Sequence, residues 1–163
     1  MTVTAEPRGR LNIDGERATV TFDVHYPQSR SVVWRALTDP AQLAKWLDKA
    51  VVELHVGGAY EVQFDDGAMV GRITKLVVEE LLIHTWDEGT DHESVVRWDL
   101  SDDADGTRLQ LTHTRLAADS AASYGAGWHL HIEMLAAALA GSTMPWSDQR
   151  FDELVTEYTA GRG

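Results

Sequence analysis

Between Val51 and Leu116 the chain returns again and again to a period of two, and after residue 127 it abandons that period. This change limits the available folds more than any other feature. Val52, Leu54 and Val56 alternate with Glu53 and His55, and Tyr60, Val62 and Phe64 alternate with Glu61 and Gln63. Val96, Trp98 and Leu100 alternate with Arg97 and Asp99, and Leu109, Leu111 and His113 with Gln110 and Thr112. Such alternation sets one apolar row on one face of each strand. Gly57-Gly58, Asp65-Asp66-Gly67 and Asp102 to Gly106 are turn signals between the rows. Strands joined by turns this short pair antiparallel, because parallel neighbours need long crossovers. Met69 to Val78 reads as one longer strand in which Gly71 marks a bend or a close approach, and Leu81 to Trp86 as the next.

The later period is helical. Trp128, Ile132, Leu135 and Leu139 are spaced four, three and four apart, the stripe of an amphipathic helix, with Gly141 as its C-cap. Ahead of the strands, Leu11 to Ile13 and Arg17 to Tyr26 flank the hairpin signal Asp14-Gly15. Pro27 ends that strand, and Ser29 caps a short helix carrying Val32, Val33, Trp34 and Leu37. Asp39, Pro40 and Gln42 form a capping box with proline at the first helical position, opening a second short helix with Leu43, Trp46 and Leu47. Ser147 to Tyr158 predicts a last short helix with Phe151, Leu154 and Val155 on its buried side. The class is α+β: a curved antiparallel sheet of about six to seven strands around a long C-terminal helix, with two short helices between the first and second strands. Residues 1–8 are expected to be a loose tail, 9–141 the domain, and 142–163 an extension.

An antiparallel sheet with one apolar face must cover it, and only the helix around Trp128 to Leu139 is long enough. A strongly curved sheet closing on one helix leaves a gap at the helix N-terminal end, roofed by the two short helices. That gap is the expected ligand cavity.

Composition removes several alternatives. The chain has 163 residues, enough for one core, and no cysteine, which excludes disulfides, thiolate metal sites and a cysteine nucleophile. Cysteine-free composition is compatible with the cytoplasm, the expected location. The formal charge is −12, from 26 acidic against 14 basic residues, so nucleic acid and anionic membranes are not expected partners. No apolar run approaches the length of a membrane span, and Met1 to Arg10 carries no signal-peptide core.

The segments VVWRALTDPAQLAKWL at 32–47, GGAYEVQF at 57–64, VGRI at 70–73, HTW at 84–86, ESVVRWDL at 93–100, GTRLQLTHT at 106–114 and GAGWHLHIEML at 125–135 occur in this order. Together they resemble the START-like (SRPBCC) superfamily, and more narrowly its bacterial branch related to the C-terminal domain of the heat-shock-protein-90 ATPase activator. The resemblance spans about Arg17 to Gly141. It implies the helix-grip fold and a hydrophobic cavity. Activator proteins also carry a separate N-terminal domain for which this chain has no room, so a full co-chaperone role, and with it a chaperone partner, is not expected. Members of the superfamily carry lipids, bind hormones or act as cyclases, so the resemblance leaves the function open.

Candidate site residues follow from strand parity. His113 shares a face with Leu109 and Leu111, and His84 with Leu82 and Trp86. An inward imidazole can orient a ligand or move a proton; the ordinary alternative is a core histidine with satisfied hydrogen bonds. Of the aromatic residues, Trp46 on the short helical roof and Trp128 near the start of the long helix are the foremost pocket candidates. Trp86, Trp98, Tyr60, Phe64, Met69 and Leu111 complete the expected lining, with His131 at its edge. His129 and Glu133 lie four apart on one helix face, but His131 points elsewhere and no HExxH occurs, so no metal or other cofactor is expected. His129 with Glu133 reads instead as a solvated helix contact. The expectation is a binding protein for a small hydrophobic or amphipathic ligand. The alternatives are an enzyme using the same cavity with His84 or His113 as acid–base, and a protein-interaction module. A homodimer through a sheet edge or the terminal helix stays open.

Overall fold

The computed structural model describes residues 9–161, so the tail expected over Met1 to Arg8 lies outside the described residues. A hairpin opens the chain: β1 (Gly9–Asp14) turns through Gly15, at φ 63°, into β2 (Arg17–Tyr26). Two short helices follow, α1 (Arg30–Thr38) and α2 (Pro40–Trp46). Counting β1, they lie between the second and third strands, not the first and second.

Asp39 separates the two helices and serves both. Its backbone N–H donates to the Arg35 carbonyl at the end of α1, while its carboxylate accepts from Ala41 N–H at the start of α2. The expected capping box would have Gln42 accept the Asp39 N–H. That proton is already held by α1, so the box does not close.

Three strands, β3 (Lys49–Val52), β4 (Tyr60–Phe64) and β5 (Gly67–Met69), form a small antiparallel sheet. The strand expected through Leu54 and Val56 ends at Val52, and both side chains are exposed. The main sheet adds β6 (Ile73–Val77), β7 (Leu81–Trp86), β8 (Ser94–Asp103) and β9 (Gly106–Ala117), in the order β1-β2-β9-β8-β7-β6. All of its pairs are antiparallel.

The single strand expected over Met69 to Val78 is therefore two, belonging to different sheets. Gly71 is the crossing point: a Cβ there would stand 2.1 Å from the Thr85 carbonyl oxygen and 2.9 Å from that of Tyr60. Only glycine lets the chain pass between those two backbones.

Near its end β9 carries a bulge. His113 pairs with Val20 but Leu116 pairs with Ala18, so three residues of one strand span two of the other, and Arg115 takes φ 65°. Strict alternation from Leu109 would have turned Arg115 inward. The extra residue turns it out and brings Leu116 in, where it is buried.

A 3₁₀ turn (Ala118–Ser120) leads into α3 (Ala121–Leu139), which begins seven residues before the expected Trp128 stripe. Gly125 and Gly127 lie inside it. A Cβ on Gly125 would come within 3.1 Å of Leu11 and 3.2 Å of the Tyr158 ring, so this glycine sets how closely α3 approaches β1 and the last helix, α4 (Asp148–Thr159). Gly141, at φ 82°, follows the helix end as expected.

On the inner face of the sheet two rows run across the strands. The first is Ile73, His84, Val96, His113, Val20; the second is Leu82, Trp98, Leu111, Phe22. Every member is buried, and α3 closes over them with Trp128, Ile132 and Leu135. No helix among the described residues is long and apolar enough to cross a membrane.

Candidate functional site

Two indole–histidine pairs organise the space between sheet and helix. The Trp98 indole N–H donates to His84 Nε2 at 3.1 Å. An indole nitrogen only donates, so His84 Nε2 is the bare nitrogen, and Nδ1–H donates to the Thr85 carbonyl at 3.0 Å. Tyr60 stacks on the same imidazole, with ring centroids 4.0 Å apart, and gives its hydroxyl proton to the Leu37 carbonyl at 2.7 Å.

Two strands along the same row the Trp128 indole donates to His113 Nδ1 at 3.0 Å. His113 is thus the opposite tautomer, with Nε2–H donating to Ser94 Oγ at 2.7 Å. The two indoles meet edge to face, 5.4 Å apart. Trp46 turns its indole N–H to the Ala36 carbonyl and packs edge-on against Trp98.

Burial pushes His84 down to about 4 and His113 down to about 3. Protonation would also set an imidazolium N–H against an indole N–H. Both histidines are fully enclosed and neutral, with both ring nitrogens engaged.

The interior between sheet and α3 is thus filled. Space remains at the open end, beside the first half of α3. A cleft of about 190 Å³ lies there, walled by Phe64, Trp86, Trp128 and His131, with Leu47 just beyond α2 and with Ser123, Tyr124 and Gly127 of α3. It opens to solvent and is bounded by the β4–β5 hairpin and Leu47, where an enclosed cavity roofed by both short helices was expected.

A second groove of about 740 Å³ continues outward past the shared walls Leu47, Phe64 and His131 toward Trp46, Met134, Trp146 and Phe151. A third recess, about 300 Å³, lies across Phe64 between Met69, Asp87 and Tyr124. Phe64, at the end of β4, is the one side chain shared by all three.

Of the residues singled out from sequence, Phe64, Trp86, Trp128 and His131 line the cleft, Met69 the recess and Trp46 the outer groove. Tyr60, His84, Trp98, Leu111 and His113 line none of the three and are wholly buried behind them. Leu47, Ser123, Tyr124 and Gly127 were missed. Their signal is present: Tyr124, Gly127, Trp128 and His131 are spaced three, one and three apart, one stripe of a helix. It shows only if the helix is continued back through two glycines.

His131 Nδ1 lies 3.0 Å from the Trp46 carbonyl, which can only accept, so Nδ1 carries the proton. Burial pushes its pKa down. Nε2 is then a lone-pair acceptor among aromatic walls, with Trp146 at 5.1 Å, Phe64 at 6.2 Å and Trp128 at 6.3 Å between centroids. Tyr124 adds a half-buried phenol whose pKa is pushed up by burial and then by the charge of Asp87.

His129 is not a solvated contact. It is fully buried, within 2.9 Å of the Tyr158 hydroxyl, which also accepts from Gly9 N–H at 3.0 Å. Its neighbour Glu133 accepts from Arg150 of α4 through both carboxylate oxygens. The network ties α4 to α3 and β1. Among the described residues no group of three or more metal-ligating side chains occurs.

A six-stranded antiparallel sheet gripping one long helix, with a cleft at the open end, is the START-like helix-grip fold. Residues 27–140 match the family model described as Activator of Hsp90 ATPase homolog 1-like protein, and the chain belongs to that family. Its structure is similar to the crystal structure of CalU16 from Micromonospora echinospora, at 23% identity and a TM-score of 0.76, covering 98% of each chain. It is similar as well to the protein encoded by gene BPP1335 of Bordetella parapertussis, at 24% identity and a TM-score of 0.73, covering 98% of this chain and 95% of that one. CV1439 from Chromobacterium violaceum shares 27% identity at a TM-score of 0.63, over 74% of this chain and 96% of that chain. No curated protein matches the sequence.

Proposed function

We propose that this protein binds a small, largely apolar molecule in the cleft between α3, β7 and the β4–β5 hairpin, as a cytoplasmic binding protein. One observation carries the reading: a well-packed core stops short at one end and leaves aromatic walls facing open space. A mostly apolar concavity with a few convergent polar groups is the usual form of a small-molecule site. The outer groove falls within the roughly 300–1,000 Å³ typical of small-molecule sites. The fold supports the same reading, since the START-like fold of this family is one that binds hydrophobic ligands. The two buried histidines act in this reading as core hydrogen-bond partners, because neither has a free nitrogen to offer a substrate.

Native mass spectrometry of protein purified from its own host, followed by solvent extraction, tests the proposal. A co-purifying small molecule, released by denaturation and lost when Gly127→Leu fills the cleft, is the expected result. Ligand-free protein that also binds nothing in a broad screen of metabolites and lipids would refute it.

A further inference from the structure

The cleft has a polarity as well as a shape. Resting on the binding function proposed above, we infer that its ligand is a planar aromatic molecule, uncharged or cationic, that donates an N–H or O–H to His131 Nε2, and that anionic amphiphiles are excluded.

The first reason is the fixed direction of His131. The Trp46 carbonyl holds the proton on Nδ1, so Nε2 only accepts, and no residue among those described donates to it. A ligand carboxylate placed there would set an acceptor against an acceptor. A hydroxyl, an indole-type N–H or an ammonium would complete the bond.

The second is the rim. The groove leading out from His131 carries Asp48, Asp65, Asp66 and Asp148 against the single cation Lys45. Arg150, the arginine of α4, is engaged by both oxygens of Glu133. An anion entering this way meets four carboxylates and lacks the guanidinium that anion sites use.

The third is the form of the walls. Trp86 and Trp128 lie 5.4 Å apart and tilted, and Trp86 and Phe64 6.1 Å apart. Rings so arranged favour a flat guest packed edge-to-face or offset. A cavity of roughly 150 Å³ accommodates benzene, so the 190 Å³ cleft has room for a two-ring system whose substituents extend along the groove.

Three probes of one shape separate the terms: 2-naphthol donates, 2-methoxynaphthalene only accepts, and 2-naphthoate is an anion. Binding is read from the indole resonances of Trp86 and Trp128 in the full chain. Naphthol is expected to bind at least tenfold more tightly than either of the others. His131→Phe should abolish its advantage over methoxynaphthalene. Asp66→Asn, on an exposed turn, should raise naphthoate affinity two- to threefold and leave naphthol unchanged. If naphthoate or methoxynaphthalene equals or exceeds naphthol, or either variant fails to move its ratio, this inference falls while the binding function stands. If none of the three shifts the indoles, this inference falls, and the solvent extraction and broad screen decide the binding function separately.

Discussion

Acidification should loosen this core well before its carboxylates titrate. His84 and His113 are held neutral inside the sheet, near 4 and near 3, whereas a histidine in an unfolded chain titrates near 6.5. Below pH 6.5 the unfolded chain therefore takes up protons that the folded one refuses. Stability is full above that pH, falls as pH drops, and stops falling once the folded-state values are passed. At pH 5 each histidine contributes a loss of about 2 kcal/mol, so the pair costs about 4 kcal/mol, a large share of a domain's roughly 5–15 kcal/mol. Urea unfolding at pH 7, 6 and 5 measures it, with histidine ¹⁵N shifts at each pH reporting the tautomers. His84 should show a bare Nε2 and His113 a bare Nδ1, both persisting at pH 5. His113→Gln can keep an acceptor for Trp128 and should remove about 2 kcal/mol of the loss between pH 6.5 and 5. A stability change under about 1 kcal/mol across that range, or imidazolium shifts for either residue at pH 5, would refute the reasoning.

Gly71→Ala should cost at least about 3 kcal/mol or prevent folding, because its Cβ meets two carbonyl oxygens that belong to paired backbone and cannot withdraw; thermal unfolding tests it. Gly127→Ala should do the reverse and stabilise by about 0.5–1 kcal/mol, since its Cβ makes only an ordinary contact, 3.9 Å from the Phe151 ring, and helix propensity improves. The bulkier Gly127→Leu should leave melting within a few degrees of wild type yet close the cleft to ligands. Tyr158→Phe should cost about 1–3 kcal/mol in urea unfolding by removing the hydroxyl that satisfies Gly9 N–H, and hydrogen exchange should show β1 fraying first.

Period determined most of the sheet and the long helix, and residue type the two caps at Ser29 and Asp39 and the glycine stop. These are local matters: the alternation of a strand and the hydrogen-bonding reach of a cap are written within a few residues of each other. Which side chains faced inward was legible for the same reason, down to His84 and His113. What those histidines do was not, because the partner of each is a tryptophan 14 or 15 residues away on another element. The split of Met69 to Val78 into two sheets needed the backbones of Tyr60 and Thr85 on either side of Gly71. The start of α3 was hidden by glycines whose lack of a side chain answers to Leu11 and Tyr158, far off in sequence. The site itself belongs to tertiary structure for the deepest reason. A cleft is where packing stops, and no residue carries a mark of having nothing against it until every other element has taken its place.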